Sequence, residues 1–200
     1  DQEWFLPHFE KMLYDQAMIS LAYLEAFELT KKQEYADITH EIFTYVLRDM
    51  TDSKGGFYSA EDADSEGEEG KFYVWTNSEI NKILGPIEGK QFTDIFGFKE
   101  DGNFHDEATG QLVSNNIPYL KNEITEYGKT NNIDIRSLKT TLEKNRITLF
   151  KHREKRIHPL KDDKILTDWN GLMIAALANG GKILKESKYI NAAEKSANFI

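Results

Sequence analysis

The chain has 200 residues, no cysteine, and 34 acidic against 25 basic side chains, for a formal net charge of −9. The missing thiols exclude disulfides, thiolate zinc sites and a cysteine nucleophile within this sequence, and the acidic balance argues against a nucleic-acid partner. No apolar run has the length of a membrane span or the form of a signal peptide, so a cytoplasmic protein without a membrane partner is expected.

The elements are expected in the following order. Phe9 to Thr30 lacks proline and glycine and carries apolar residues on almost every side, among them Met12, Leu13, Ala17, Met18, Ile19, Ala22, Leu24 and Phe27. A helix apolar all round is expected to be buried on all sides. Glu34 to Met50 places Tyr35, Ile38, Ile42, Val46 and Leu47 on one stripe and polar residues on the other, which predicts a surface helix. The short turn Lys31-Lys32-Gln33 makes the two an αα-hairpin with an inner and an outer member. Residues 51–76 read as an acidic loop closed by a small β-hairpin, with Gly56–Ser59 facing Lys71–Thr76. Asn77–Leu84 is a short helix capped by Asn77 or Ser78 and stopped at Gly85-Pro86. Glu88–Phe96 is a second helix, Asp101–Pro118 a loop, Asp134–Arg156 a long helix and Ile157–Leu166 a linker broken at Pro159.

The hairpin pattern then returns. Asp168–Leu184 is apolar and rich in small residues, and Lys188–Ile200 is amphipathic. The two copies align without a gap at a separation of 154 residues, with Ala22 on Ala176, Lys31 on Lys185 and Tyr35 on Tyr189. Such repeats point to stacked hairpins closing into a solenoid or toroid. The fold class expected is mainly α: an α/α toroid of the six-hairpin kind, here a partial ring with a small β-hairpin insertion. The chain begins and ends inside apparent structure, so it reads as a fragment of one toroid domain. Its incomplete ring is expected to form a homo-oligomer.

Three polar clusters carry the candidate chemistry. The first, Pro7 to Gln16, places His8, Lys11 and Asp15 on adjoining faces of a helix start, with Gln16 beside them. A carboxylate inside an apolar helix needs partners, whether structural or functional. The second runs from Ser59 to Glu68. Asp62, Asp64, Glu66 and Gly67 mimic four positions of a calcium loop, but Tyr73 stands where the closing glutamate belongs. No metal or other cofactor is therefore expected, with calcium at 62–67 kept as a weak alternative. Glu61, Asp62 and Asp64, beside an aromatic segment that contains Trp75, serve better as site carboxylates. The third, His158 to Gly171, holds Asp162, Asp163 and Lys164, and then Asp168, Trp169 and Asn170 at a helix start capped by Thr167 or Asp168. A lysine beside two carboxylates tunes their ionisation. Trp169 or Trp75 can stack on a sugar ring, or can simply fill core.

In a ring of hairpins the inner helices run parallel and their electropositive N-termini share a rim. Two carboxylates across such a rim suit glycoside hydrolysis, whereas two histidines such as His8 and His158 suit proton removal and return beside a carbonyl. Spacing alone does not choose between these.

The strings Pro7-His8-Phe9-Glu10-Lys11-Met12-Leu13-Tyr14-Asp15-Gln16-Ala17, Gly55-Gly56-Phe57-Tyr58-Ser59-Ala60-Glu61-Asp62-Ala63-Asp64-Ser65, Gly70-Lys71-Phe72-Tyr73-Val74-Trp75-Thr76 and Asp162 to Ile174 together resemble the YyaL-like, or spermatogenesis-associated protein 20, family of thioredoxin-domain-containing proteins. The resemblance implies an N-terminal thioredoxin-like domain absent from this chain. It also implies a six-hairpin helical domain similar to glycosidases and N-acylglucosamine 2-epimerases. A domain that binds or processes a carbohydrate is the first functional expectation, with His8, Asp15, Glu61, Asp62 and Asp163 as acid–base candidates. Lys11, Gln16, Asp64, Trp75, His158, Asp162, Lys164, Asp168, Trp169 and Asn170 are the substrate-binding candidates. A non-catalytic binding or scaffold module that supports the redox domain is the alternative.

Overall fold

The computed structural model describes residues 5–105, 110 and 112–200. The protein is mainly helical, with small antiparallel sheets. In chain order it forms β1 (Lys11–Met12), α1 (Leu13–Thr30), α2 (Gln33–Asp49), β2 (Ala60–Glu61), β3 (Asp64–Ser65) and β4 (Glu68–Glu69). There follow α3 (Asn77–Leu84), α4 (Pro86–Ile95), α5 (Ile124–Thr130), α6 (Ile135–Arg153), β5 (Lys161–Asp162), α7 (Thr167–Ile183) and α8 (Ser187–Phe199). Among the described residues no helix is long and apolar enough to cross a membrane. The elements divide into two compact units, a helical unit of Phe9–Ala63 with Pro159–Ile200 and an inserted unit of Asp1–His8 with Asp64–His158.

The helical unit packs α1 against both α2 and α7, and α7 against α8. Its core holds Leu13, Leu24, Phe43, Met173, Leu177 and Tyr189. The 154-residue repeat holds in detail. Lys31 and Lys185 both end the inner helix of their hairpin in the left-handed region, at φ 57° and 59°. Tyr35 and Tyr189 sit at the same position of the outer helices, and Tyr189 meets Phe43 edge-on at 4.8 Å.

Burial divides the two inner helices in a complementary way. In α1 the buried residues are Leu13, Ala17, Ser20 and Leu24. Their repeat partners in α7 are Thr167, Gly171 and Ala178, which are exposed, and Ile174, which is half-buried. In α7, Met173 and Ala176 are fully buried, whereas their partners Ile19 and Ala22 are exposed. The expectation that α1 is buried on all sides is therefore corrected: Met18, Ile19 and Leu29 are 53%, 45% and 86% exposed.

Two glycines of α7 read the same division. A Cβ at Gly180 would lie 2.3 Å from Cε2 of Phe43, while a Cβ at Gly171 would meet nothing within 4 Å. Alanine gains up to about 1 kcal/mol over glycine inside a helix, but overpacking a core costs about 1–3 kcal/mol. Gly180→Ala is expected to destabilise this chain by about 1–2 kcal/mol, read as a lower urea midpoint, and Gly171→Ala to stabilise it by about 0.5–1 kcal/mol, read as a higher one. Shifts of the same sign would contradict the packing described.

The sheet β1-β2-β5 is antiparallel throughout, with Lys11 opposite Glu61 and Ala60 opposite Asp162. Here the sequence expectation is overturned twice. Residues 9–12 are not helical: Lys11 and Met12 pair with Glu61 and Ala60, and Leu13 N–H still donates to Ser59 O at 2.9 Å. Gly56–Ser59 does not pair with Lys71–Thr76. The acidic hairpin is instead β3–β4, turned by Glu66 and Gly67 at φ 56° and 79°, a pair of positive φ values that a two-residue type I′ turn requires.

The inserted unit has its own core of Trp75, Ile80, Phe92, Ile95, Leu138, Leu142 and Leu149. It runs on to His158, whereas residues 51–63 of the insertion expected at 51–76 belong to the helical unit. Thr76, not Asn77 or Ser78, caps α3, through a capping box with Glu79. Asp134 caps α6 by accepting from Ser137 N–H at 2.8 Å. Arg156 braces the segment before α3. Its guanidinium donates to the carbonyls of Phe72 and Val74 at 2.8 Å each, pairs with Glu79 at 3.2 Å and lies 4.0 Å above the Trp75 ring. The loop 101–118 lies partly outside the described residues, and its described part carries the bridges Trp75↔Asn116 and His105↔Leu112.

Candidate functional site

Within the helical unit the sheet brings the starts of α1 and α7 to one edge. β1 runs directly into α1, and the backbone of Ser59 joins both approaches, accepting from Leu13 N–H and donating to Asp162 O and Lys164 O. The rings of Tyr14 and Trp169, the second and third residues of the two helices, meet edge-on with centroids 4.8 Å apart. Neither helix is capped by a side chain at its N-terminus, although Asp15 and Asp168 lie in the first turns, where the helix dipole favours an anion. Thr167 or Asp168 as the cap of α7 is corrected accordingly, since Leu166 holds that position.

Two ion pairs flank this edge. Glu61 is 4% exposed, and its Oε1 lies 3.6 Å from Nζ of Lys11, which also donates to Phe9 O at 2.7 Å. The pair follows from the β1–β2 register, which sets the two residues opposite each other. Asp162 Oδ2 lies 2.6 Å from Nζ of Lys164. That hydrogen bond holds the Asp162 carboxyl below the usual carboxylate range, so at neutral pH Asp162 is a fixed anion rather than a proton donor. Asp62 and Asp163 are exposed on the adjoining turns. Desolvation and then the Asp52 carboxylate, which accepts from the Tyr58 hydroxyl at 3.4 Å, raise the Tyr58 phenol above its usual range.

The sequence candidates thus separate. Lys11, Asp15, Gln16, Glu61, Asp62, Asp162, Asp163, Lys164, Asp168 and Trp169 belong to the helical unit and its sheet edge. Asp15 lies on the exposed side of α1, so the premise of a buried carboxylate is corrected. Asn170 is corrected as well. It is fully buried, and its amide is spent on the backbone, accepting from Phe57 N–H at 2.7 Å and donating to Phe57 O and Leu166 O at 2.9 Å. No group of it remains to meet a substrate. His8, Asp64, Trp75 and His158 belong to the inserted unit. Trp75 is 5% exposed, packed in the second core under Arg156, and is a core residue rather than a sugar platform. His158 lies against the Phe72 ring at 4.6 Å and 3.7 Å from Glu154. Among the described residues no cluster of three histidine, aspartate or glutamate side chains could hold a metal ion. Residues Ser65 to Glu68 form a β-turn that joins two paired strands.

Sequence reasoning missed Tyr14 and Tyr58. A tyrosine at the second position of an apolar inner helix, matched by repeat to the neighbour of Trp169, was the available signal for Tyr14.

No family model matches the chain. Curated proteins do match it. The chain is 36% identical over 217 residues to spermatogenesis-associated protein 20 of Homo sapiens, 34% to that of Mus musculus and 33% to that of Rattus norvegicus. Its homologues are spermatogenesis-associated protein 20. Each alignment covers 100% of this chain and 28% of the relative, so the chain spans just over a quarter of the length of the curated relatives it matches. The likeness to spermatogenesis-associated protein 20 therefore takes in the sheet edge, both hairpins and the inserted unit together.

Proposed function

We propose that the helical unit is part of an α/α toroid and that the edge where α1 and α7 begin binds a carbohydrate. The observation that carries the reading is the aromatic pair Tyr14–Trp169 at two helix N-termini without side-chain caps, flanked by Lys11–Glu61 and Lys164–Asp162. Sugars are bound by ring stacking together with charged groups and amides that address hydroxyls. All three kinds of group stand at this edge. The division of burial between α1 and α7 supports the toroid: each inner helix buries the positions that its repeat partner leaves exposed. The open faces, Ile19 and Ala22 on α1 and Gly171 and Ala178 on α7, are where further hairpins of a ring pack, or where an incomplete ring self-associates.

Asp162, held low by its hydrogen bond from Lys164, suits an anion that binds rather than a general acid, which needs a raised carboxyl. A hydrolase or epimerase reading draws its remaining groups from elsewhere in a complete ring.

The test is a thermal-shift screen of the whole protein against mono- and disaccharides. A ligand at a hundred times its Kd adds about 2.7 kcal/mol of stability, and for a domain of this size that is a rise of roughly 5–10 °C. The Trp169→Ala protein is expected to lose the shift. A flat screen, or a shift that survives the substitution, removes the carbohydrate reading.

A further inference from the structure

The inserted unit contains a groove of about 480 Å³ between α4, α6 and the start of α5. Its floor is apolar, built from Trp75, Phe92, Phe96, Leu142, Leu149 and Phe150. That volume falls within the range of small-molecule sites, which are mostly apolar with a few placed polar groups. The charged residues at its edge all come from α6: Lys139, Glu143, Arg146 and Arg153.

These charges are unevenly matched. Arg146 and Glu143 neutralise each other through two hydrogen bonds of 2.7 Å. Arg153 is a cation laid against the rings of Phe72, Tyr73 and Phe150, at 5.1, 5.2 and 5.5 Å. Lys139 is exposed and makes no salt bridge among the described residues. The three cations recur every seventh residue, so they lie along one side of the helix, about 10 Å apart. They border the apolar row of Leu142 and Leu149. The groove edge therefore carries a positive excess next to an aromatic floor.

We propose that this groove binds a small apolar carboxylate, its hydrocarbon or aromatic body on the floor and its anion at the Lys139 edge. The complementarity is twofold. An apolar body removes the half-buried side chains of Phe96, Ile124 and Phe150 from water, and the single negative charge answers the surplus cation. A neutral ligand of the same shape gains only the first of these, and a sugar gains neither. The inference is independent of the carbohydrate reading, because it concerns other residues in the other unit.

Titration calorimetry of the whole chain with 6-phenylhexanoate and with 6-phenylhexan-1-ol tests it. The acid is expected to bind about tenfold more tightly than the alcohol. Lys139→Glu is expected to cut that preference below threefold while leaving alcohol binding unchanged. Lys144→Glu, an exposed charge reversal on the same helix but outside the groove lining, is expected to keep the tenfold preference. Both sites are at the surface, so loss of folding does not confuse the comparison. Equal affinity for acid and alcohol overturns the proposal, as does an acid preference that survives Lys139→Glu or the absence of saturable binding of either probe. A concentration-dependent dimer that Lys139→Glu dissolves and the acid does not compete with also overturns it, since the occupant is then a second copy.

Discussion

Asn170→Ala is expected to destabilise the helical unit by about 4 kcal/mol, lowering its melting temperature by on the order of 10 °C. The Asn170 amide sits at 0% exposure between α7 and the segment that leads into β2, where it satisfies both backbone groups of Phe57 and the carbonyl of Leu166. Removing it leaves a buried N–H and a buried C=O with no water to replace it, at about 1–3 kcal/mol each, and a small cavity besides. Asn170→Asp separates geometry from chemistry. The carboxylate still accepts from Phe57 N–H, but it faces two carbonyl oxygens where the amide donated. Its folded-state pKa would be raised above the unfolded value, so the native state holds the proton more tightly. The stability of that variant should then be greatest in acid and fall as pH rises from about 4 through the raised pKa. Hydrogen exchange in the Asn170→Ala protein should accelerate first at Phe57 and Leu13. If exchange there is unchanged, the clamp is not what holds the sheet edge.

Arg156→Ala is the counterpart in the inserted unit, with an expected loss of about 3 kcal/mol. One guanidinium gathers the carbonyls of Phe72 and Val74, the carboxylate of Glu79 and the face of Trp75. Hydrogen bonds from a charged donor are worth more than neutral ones, about 1.5–3 kcal/mol, and the planar fork is what lets one side chain serve carbonyls and carboxylate together. Arg156→Lys keeps the charge without the fork or the ring stacking. It should recover less than half of the loss in urea titrations followed by tryptophan fluorescence. Full rescue by lysine would mean that the charge alone matters.

The helices were largely legible. Periodicity found α2, α6 and α8, glycine and proline marked the end of α3, and the gapless repeat placed α7 in register with α1. What escaped was of two kinds. Strands of two residues have no period, and the pairing of Lys11 with Glu61 and of Ala60 with Asp162 joins segments tens of residues apart, so no local pattern announces it. The cap of α3 was read one or two residues late because Thr76, Asn77 and Ser78 all qualify by type. Glu79 selects Thr76, since only that residue lies three before it. α5 is only seven residues long and carries Gly128 within it, so no period marks it in the sequence. At the candidate site the sequence located the right segments but not the role of each residue. Asn170 stands among site-like neighbours and is a clamp. Trp75 has the chemistry of a sugar platform and the burial of a core residue. Asp15 looked embedded because α1 is apolar on most sides, and only the open face of that helix places it in solvent.

The same 154-residue interval has a kinetic side. α1 and α7 touch along their length, yet the chain must close a loop of that span before the contact forms. The entropy of closure grows only with the logarithm of loop length, but contacts so distant in sequence slow the search. A compact inserted unit, Asp64–His158, shortens the effective span if it collapses first, because its own helices are local in sequence. The order that follows is the inserted unit and each hairpin early, with the α1–α7 seam last. By microscopic reversibility, unfolding along that route begins at the seam whose edge carries Tyr14 and Trp169.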